Sequence, residues 1–135
     1  MTSPQILMSH WTARQRRTNI DAVPTPETVR AAVNQLNGAD VNDLYIYPDG
    51  TLPEIYMAIG GGKDDHYFVF ITECNAVFTQ AVSPSAPDGE AELTIGRRAD
   101  SYALKDLIGL DAAIEAATHY LATGRPAPEL TWAQL

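Results

Sequence analysis

The stretch that decides the fold is EIYMAIGGGKDDHYFVFIT, residues 54–72. Aromatic and β-branched residues, which suit the pleated surface of a half-buried sheet, fill both of its ends. Between these ends lie three consecutive glycines, residues 60–62, which tolerate positive φ angles, and then Asp64 and Asp65. The pattern predicts two central antiparallel strands joined by a glycine-rich, acidic turn.

The two predicted strands differ in how their side chains are distributed. In the first, three large aliphatic residues alternate with Tyr56 and Ala58, which indicates a bulkier and a smaller face. The second, residues 67–71, is apolar at every position and is expected to be covered on both faces. A sheet buried at its middle needs helices to cover it, and the chain contains two helical patterns.

The first helix is predicted over residues 25–38. Thr25 is a suitable N-cap, Pro26 fits the first helical position, and Gly38 stands where a left-handed C-terminal cap is expected. Its apolar residues recur at i, i+3, i+4 and i+7, which makes one apolar stripe. They are Val29, Ala32, Val33 and Leu36.

The second helix is predicted over Leu110–Thr123, with Gly124 after its end and Pro126 preventing its continuation. Five apolar residues are expected to share its buried face. They are Leu110, Ala113, Ile114, Ala117 and Leu121. We assign this stripe and Trp132 to the core.

Shorter apolar segments predict the remaining strands. They are Gln5–Trp11, Asp43–Tyr47, and residues 76–82, 92–95, 102–104 and 129–132. Turn-forming residues at 48–50 and 73–75, and a loop at 83–89, separate them. The order predicts one α+β domain spanning residues 1–135, with a mainly antiparallel sheet of five to seven strands and two helices.

Composition narrows the class of protein. The chain has 135 residues, of which 45% are hydrophobic, and a formal net charge of −8 from 17 acidic and 9 basic residues. This excess argues against nucleic acid as a partner, because nucleic-acid binding draws on clustered Lys and Arg. No secretory signal, no membrane-spanning run and a single cysteine, Cys74, predict a soluble cytoplasmic protein without an intrachain disulfide and without a membrane partner.

No catalytic constellation stands out. The three histidines, His10, His66 and His119, are far apart and in no ligand spacing, so we expect no metal site and no cofactor. The glycine run lacks the lysine–serine pair and the following helix of a phosphate-binding loop. The protein is therefore expected not to be an enzyme, and no catalytic residue is predicted.

Acidic residues are unevenly distributed. Between Asp40 and Glu73 the chain holds seven acidic residues against Lys63 alone, interleaved with four tyrosines. The tyrosines are Tyr45, Tyr47, Tyr56 and Tyr67. Tyrosine is enriched at the centres of protein interfaces, so the region is either a partner-binding surface or a solvated acidic face with tyrosines at the core edge. The basic cluster at residues 14–17 is interpreted as a solvated loop or edge strand, with its role open.

Three motifs in order resemble a known family. They are residues 59–67 (IGGGKDDHY), residues 113–126, which end in Gly-Arg-Pro, and Trp132. The set resembles the immunity proteins of bacterial polymorphic toxin systems, specifically the family numbered first among them (Imm-one). The resemblance covers about residues 24–134 and leaves residues 1–23 outside it.

The resemblance implies a non-enzymatic antidote that binds and occludes a cognate toxin domain, often a nucleic-acid deaminase or nuclease. The acidic composition fits a basic cleft in such a partner. The predicted interface residues are Asp64, Asp65, Tyr67 and Glu73, with Asp49, Asp88 and Glu90 as further candidates. An acidic secretion chaperone for an effector protein and a small-ligand-binding protein stay open as alternatives, as does the oligomeric state.

Overall fold

The computed structural model describes residues 4–11, 16–21, 24–74 and 76–135. Within these ranges the chain forms nine strands and two α-helices. They are β1 (Gln5–Trp11), β2 (Arg16–Asp21), α1 (Pro26–Gln35), β3 (Asp43–Tyr47), β4 (Tyr56–Gly61), β5 (Tyr67–Glu73), β6 (Val77–Val82), β7 (Glu90–Ile95), β8 (Arg98–Ala103), α2 (Leu110–Thr123) and β9 (Thr131–Gln134). The predicted α+β class is confirmed.

Seven of the strands form one antiparallel sheet in the order β2-β1-β3-β4-β5-β6-β9. Its centre is the predicted hairpin, in which β4 pairs with β5 from Tyr56 opposite Thr72 to Gly61 opposite Tyr67. The glycine-rich turn is also confirmed, because Gly61 and Gly62 have φ angles of 96° and 108° that other residues rarely adopt. A single 3₁₀ turn at Lys63–Asp65 completes the connection.

Helix α1 begins as predicted and ends earlier than predicted. Thr25 caps it through a reciprocal capping box with Thr28. The helix ends at Gln35, because Leu36 turns to an extended conformation and the Asn37 side chain accepts hydrogen bonds from the Ala39 and Val41 amides. Gly38 does have a left-handed φ of 74°, but it lies beyond this exit turn and is not the helix cap.

Helix α2 has the predicted bounds and ends at Gly124, which is left-handed with a φ of 68°. Its buried face differs from the predicted one. The buried residues are Ala113, Ala116, Ala117 and Tyr120, whereas Leu110, Ile114 and Leu121 flank them and are only partly buried. The three alanines leave room for close approach of the helix to its neighbours, and Tyr120 fills the remaining space with its ring.

The hydrophobic core lies on one face of the large sheet, under both helices. Val29 and Val33 of α1, Ala117 of α2, and Met57 and Val69 of the central strands are fully buried there. Trp132 packs against this core as predicted and donates its indole N–H to the carbonyl of Ala127 at 2.9 Å.

The opposite face of the sheet carries no α-helix in the described chain, and residues 67–71 are covered there only at Phe68, which lies beneath Tyr102. Tyr67, Val69 and Ile71 are buried under the helices, whereas Phe68 and Phe70 point to the other face and are only half-buried. Successive residues of a strand alternate between faces, and the helical layer covers only one of them.

A two-stranded sheet of β7 and β8 covers one end of this second face. Strands were predicted at residues 92–95 and near 102–104. The first is confirmed in longer form, and the second is shifted to Arg98–Ala103, because Leu104 begins a 3₁₀ turn. Gly60 allows the close approach, because a Cβ there would lie 2.6 Å from Ile95 Cδ1. The buried Asn42 side chain fixes the hairpin tip by donating to the Gly96 carbonyl at 2.9 Å and accepting from the Gly96 amide at 2.7 Å.

The remaining predicted strands and the basic cluster lie toward the two edges of the large sheet. Strands were expected at residues 76–82 and 129–132, and β6 and β9 confirm them with small shifts. Arg16 and Arg17 begin β2, which is an edge strand, as one of the two interpretations of the basic cluster expected. Residues 14 and 15 of that cluster lie outside the described residues, and so does residue 75 of the predicted turn at 73–75. Neither described helix combines the length and apolar character needed to cross a membrane.

Candidate partner-binding surface

The helix-free face of the large sheet carries a continuous cluster of aromatic rings. Residues paired across antiparallel strands point to the same face, and the pairs Tyr45–Ala58, Ala58–Phe70 and Tyr56–Thr72 place side chains from three strands together. We call the cluster the aromatic face. It consists of Tyr45, Tyr47, Tyr56, Phe68, Phe70, Phe78 and Tyr102.

Tyr56 is the hub of the aromatic face. Its ring centroid lies 5.7 Å from those of both Tyr45 and Tyr47, and 6.2 Å from that of Phe70. Phe70 in turn lies 5.8 Å from Phe78. These separations and the tilted or edge-on ring angles are those that aromatic pairs prefer, so the rings hold one another in place before any partner arrives.

One end of the aromatic face is covered and the other is open. At the covered end Phe68 lies 5.1 Å from Tyr102 of β8. At the open end Tyr47, Tyr56 and Phe78 are half-buried without a layer above them in the described chain. Desolvation by partial burial raises the pKa of Tyr47, as it does for Tyr45, so both hydroxyls are neutral at physiological pH.

A polar corner adjoins the aromatic face where β1, β2 and the hairpin tip meet. The guanidinium groups of Arg16 and Arg97 lie 5.0 and 5.3 Å from the ring centroid of Trp11, in cation–π range. The Trp11 indole N–H donates to Asp43 Oδ1 at 3.0 Å. Burial raises the pKa of the Asp43 carboxyl, and the Trp11 hydrogen bond partly opposes that effect.

The acidic turn has two carboxylates with different surroundings. Asp64 and Asp65 both have left-handed backbones, with φ angles of 55° and 62°, and both are exposed. Asp65 Oδ1 accepts a hydrogen bond from the Leu110 amide at 2.7 Å. Gly109, the N-cap residue of α2, has no side chain to cap the helix, so Asp65 supplies that cap from a turn 45 residues away. Asp64 has no hydrogen-bond or ion-pair partner among the described residues.

The other predicted site residues on β5 lie on the helix side of the sheet. Tyr67 is 4% exposed and belongs to the core, and its backbone pairs with Ile108. Glu73 is exposed at the end of β5, where it lines a groove of about 160 Å³ together with Arg125. The pKa of Tyr120 beneath it is raised, chiefly by burial and also by the Glu73 charge.

Asp49, Asp88 and Glu90 lie apart from these residues. Asp49 accepts hydrogen bonds from the amide and hydroxyl of Thr51, which lower the pKa of its carboxyl. Asp88 lies 3.5 Å from Lys105, and Glu90 accepts from the Ser101 hydroxyl at 2.9 Å. The antiparallel topology puts Asp49 and Glu73 at one end of the sheet and Asp64 and Asp65 at the other, so the predicted residues form no single cluster.

Three tyrosines of the aromatic face belong to the acidic, tyrosine-bearing region that the sequence suggested as a partner-binding surface. Its phenylalanines and Tyr102 were not predicted. A groove of about 290 Å³ between α1 and the β1–β2 edge, lined by Met8, Asn19 and Ala31 among others, was also missed. No three His, Cys, Asp or Glu side chains of the described ranges converge as metal ligands. The arrangement therefore offers surfaces for contact: a ring-lined sheet face and acidic margins at both ends.

Comparison with known proteins gives one family. The family model described as "Immunity protein Imm1" matches residues 19–134, nearly the whole chain. No curated protein matches the chain. The match confirms the resemblance inferred from the glycine-rich hairpin, the Gly-Arg-Pro helix end and the last tryptophan, and it extends a few residues further toward the N-terminus.

Proposed function

The chain belongs to the Imm1 family of immunity proteins, and we propose that it protects the cell that makes it by binding a cognate toxin domain of a polymorphic toxin and covering its active centre. The family match is the observation that carries this proposal. Immunity proteins are generally not enzymes, and the proposed mechanism needs no reaction by this chain. Tight, reversible occlusion is sufficient.

The chemistry of the proposed partner follows from charge. The net charge of −8, with seven acidic residues against one lysine between residues 40 and 73, favours a basic protein surface. An enzyme that acts on nucleic acid has such a surface, because it must hold phosphates. The family resemblance implies a deaminase or nuclease domain as the proposed partner, and the acidic charge fits such a partner. We propose that the two proteins meet in the cytoplasm, with neither nucleic acid nor membrane as a partner of this chain. Opposite charges would also speed the encounter.

Five of the predicted interface residues are retained as proposed contacts at the acidic margins. Asp64, Glu73, Asp88 and Glu90 are exposed, and Asp49 is partly exposed. Asp65 is not retained as a proposed contact, because its carboxylate caps α2. Tyr67 is not retained either, because its side chain is in the core. Contacts of this rim type set association rate and salt dependence more than they set final affinity.

The test is co-expression with the toxin encoded beside this gene. We expect cells that produce the toxin domain alone to die, cells that also produce this protein to grow, and the two proteins to purify together. Continued death, with both proteins present, would refute the proposal. A complex that forms while the toxin stays active would instead indicate a secretion chaperone.

The proposed rim contacts have a separate test. Asp64→Asn removes a charge without requiring a new backbone conformation, because asparagine tolerates the left-handed region. Glu129→Gln, at an exposed position outside the proposed contacts, is its control. We expect the association rate to fall several-fold for Asp64→Asn only, and the difference to shrink at high salt.

A further inference from the structure

We propose that the aromatic face is the centre of the toxin-docking surface, and that the partner presents an apolar patch with a basic margin to it. This inference rests on the proposed function and deepens it. None of the rings is among the acidic residues proposed above, although Glu90 belongs to the hairpin that covers one end of this face and Asp49 to the loop at its other end.

Most strands of the sheet contribute an apolar residue to this face. A single line of paired residues crosses all seven strands on this face. It runs Ile20, Leu7, Tyr45, Ala58, Phe70, Gln80, Ala133. Ile20, at one edge, is 61% exposed, and Leu135, whose amide donates to the Phe78 carbonyl at the other edge, is 65% exposed. Gln80 interrupts this line, because it is 6% exposed and donates to Asp106 Oδ1 at 2.8 Å, so the rings form an apolar patch centred on β3, β4 and β5.

The sheet that carries this patch is about as wide as a standard protein–protein interface. Six spacings of about 4.8 Å make the sheet roughly 29 Å wide. A standard protein–protein interface buries about 800 Å² on each partner, which is a square of roughly 28 Å on a side. The two described grooves lie beside α1 and beside Arg125.

The composition of the face matches the centre of an interface. Tyrosine and phenylalanine are enriched in such centres, where they supply large contact areas at a small cost in conformational entropy. Tyr47 and Tyr56 each touch another ring of the cluster, at 5.7 Å from one another, so their rotamers are already restricted. A surface organised before binding loses less entropy when it binds.

The acidic charge at the open end of the aromatic face favours a basic partner over a second copy of this chain. The loop between Tyr47 and Tyr56, at the open end of the face, contains Asp49 and Glu54 and no Lys or Arg. Two copies packed through this face would bring together two chains that each carry a net charge of −8. A partner with lysines or arginines around an apolar centre would meet the same loop favourably.

The first test is the double variant Tyr47→Ala/Tyr56→Ala, titrated with the purified toxin domain encoded beside this gene. We expect at least about a 30-fold rise in Kd, the loss typical of hot-spot side chains. Leu121→Ala is the control, because Leu121 is also a partly buried large side chain but lies on α2, on the other side of the sheet. It should leave Kd within about 3-fold of the unsubstituted protein.

Radical footprinting of the unsubstituted protein keeps the test independent of variant folding. Oxidation of Tyr47, Tyr56 and Phe78 should fall several-fold when the toxin domain is added, and oxidation of Trp132 should not change. Binding with unchanged oxidation at these rings, or a Kd that responds to Leu121→Ala instead of the double variant, would overturn the inference and leave the proposed function intact. Protection of the rings without toxin, in a dimer, would also overturn it. If the unsubstituted protein does not bind the toxin domain, the proposed function itself is refuted.

Discussion

Replacing Asp65 with alanine should destabilise the protein through a helix that begins 45 residues later in the chain. Asp65 Oδ1 accepts the Leu110 amide at 2.7 Å, and Gly109 has no side chain that could replace it. Loss of an N-cap costs about 1 kcal/mol, and loss of a carboxylate at the positive end of the helix dipole about 0.5 kcal/mol. We therefore expect about 1.5 kcal/mol from the cap, a fall in Tm of roughly 4–8 °C for a domain of this size.

Asp64→Ala provides a matched control for the backbone. Asp64 and Asp65 have φ angles of 55° and 62°, so alanine meets a similar left-handed strain at both positions, roughly 1 kcal/mol. Only Asp65 also caps the helix. Urea unfolding followed by circular dichroism should show Asp65→Ala about 1.5 kcal/mol less stable than Asp64→Ala. Equal stability of the two variants would refute the capping role.

Three further predictions concern other positions. Asn42→Ala should release the hairpin tip at Gly96, lowering stability by about 2–3 kcal/mol, with faster amide exchange in β7 and β8; unchanged exchange would contradict the anchoring role. Gly62→Ala should lower the Tm more than Gly124→Ala does. A Cβ at Gly62 would lie 2.6 Å from a backbone carbonyl oxygen, whereas a Cβ at Gly124 would lie 3.8 Å from its nearest neighbour. The reverse order would exclude the packing explanation. Burial raises the pKa of Asp43 in the folded state. The contribution of this carboxyl to stability is therefore complete below the unfolded-state pKa, where the carboxyl is protonated, and is lost as pH rises through the folded-state pKa. Asp43→Asn should therefore gain stability relative to the unsubstituted protein as pH rises from the unfolded-state pKa through the folded-state pKa, and a pH-independent difference would contradict this sign.

Local signals predicted the helices and the central hairpin because those signals act over a few residues. Thr25 and Pro26 mark the start of α1, and Gly124 marks the end of α2, without any help from the rest of the fold. The spacing of apolar residues did not identify the buried face of α2, because the predicted stripe omits Ala116 and Tyr120, which are both buried. Their burial depends on the shape of the space above the sheet, which no local pattern describes.

The candidate surface depends on pairing between distant strands. Four tyrosines look alike in sequence, yet strand alternation puts Tyr45, Tyr47 and Tyr56 on the aromatic face and Tyr67 in the core. The observed hairpin register separates Tyr56 from Tyr67, because Gly61, five residues after Tyr56, pairs with Tyr67. The contact between Asp65 and Leu110 carries no sequence signal, since it depends on where the chain returns after 45 residues.

Titration of the toxin's activity with this protein tests the central claim most directly. At toxin concentrations well above Kd, occlusion predicts that activity falls in proportion to added protein and reaches zero at one molecule of this protein per toxin domain. Loss of activity at a small fraction of that ratio would mean that this protein acts catalytically. Full activity in a saturated complex would mean that it does not cover the toxin's active centre.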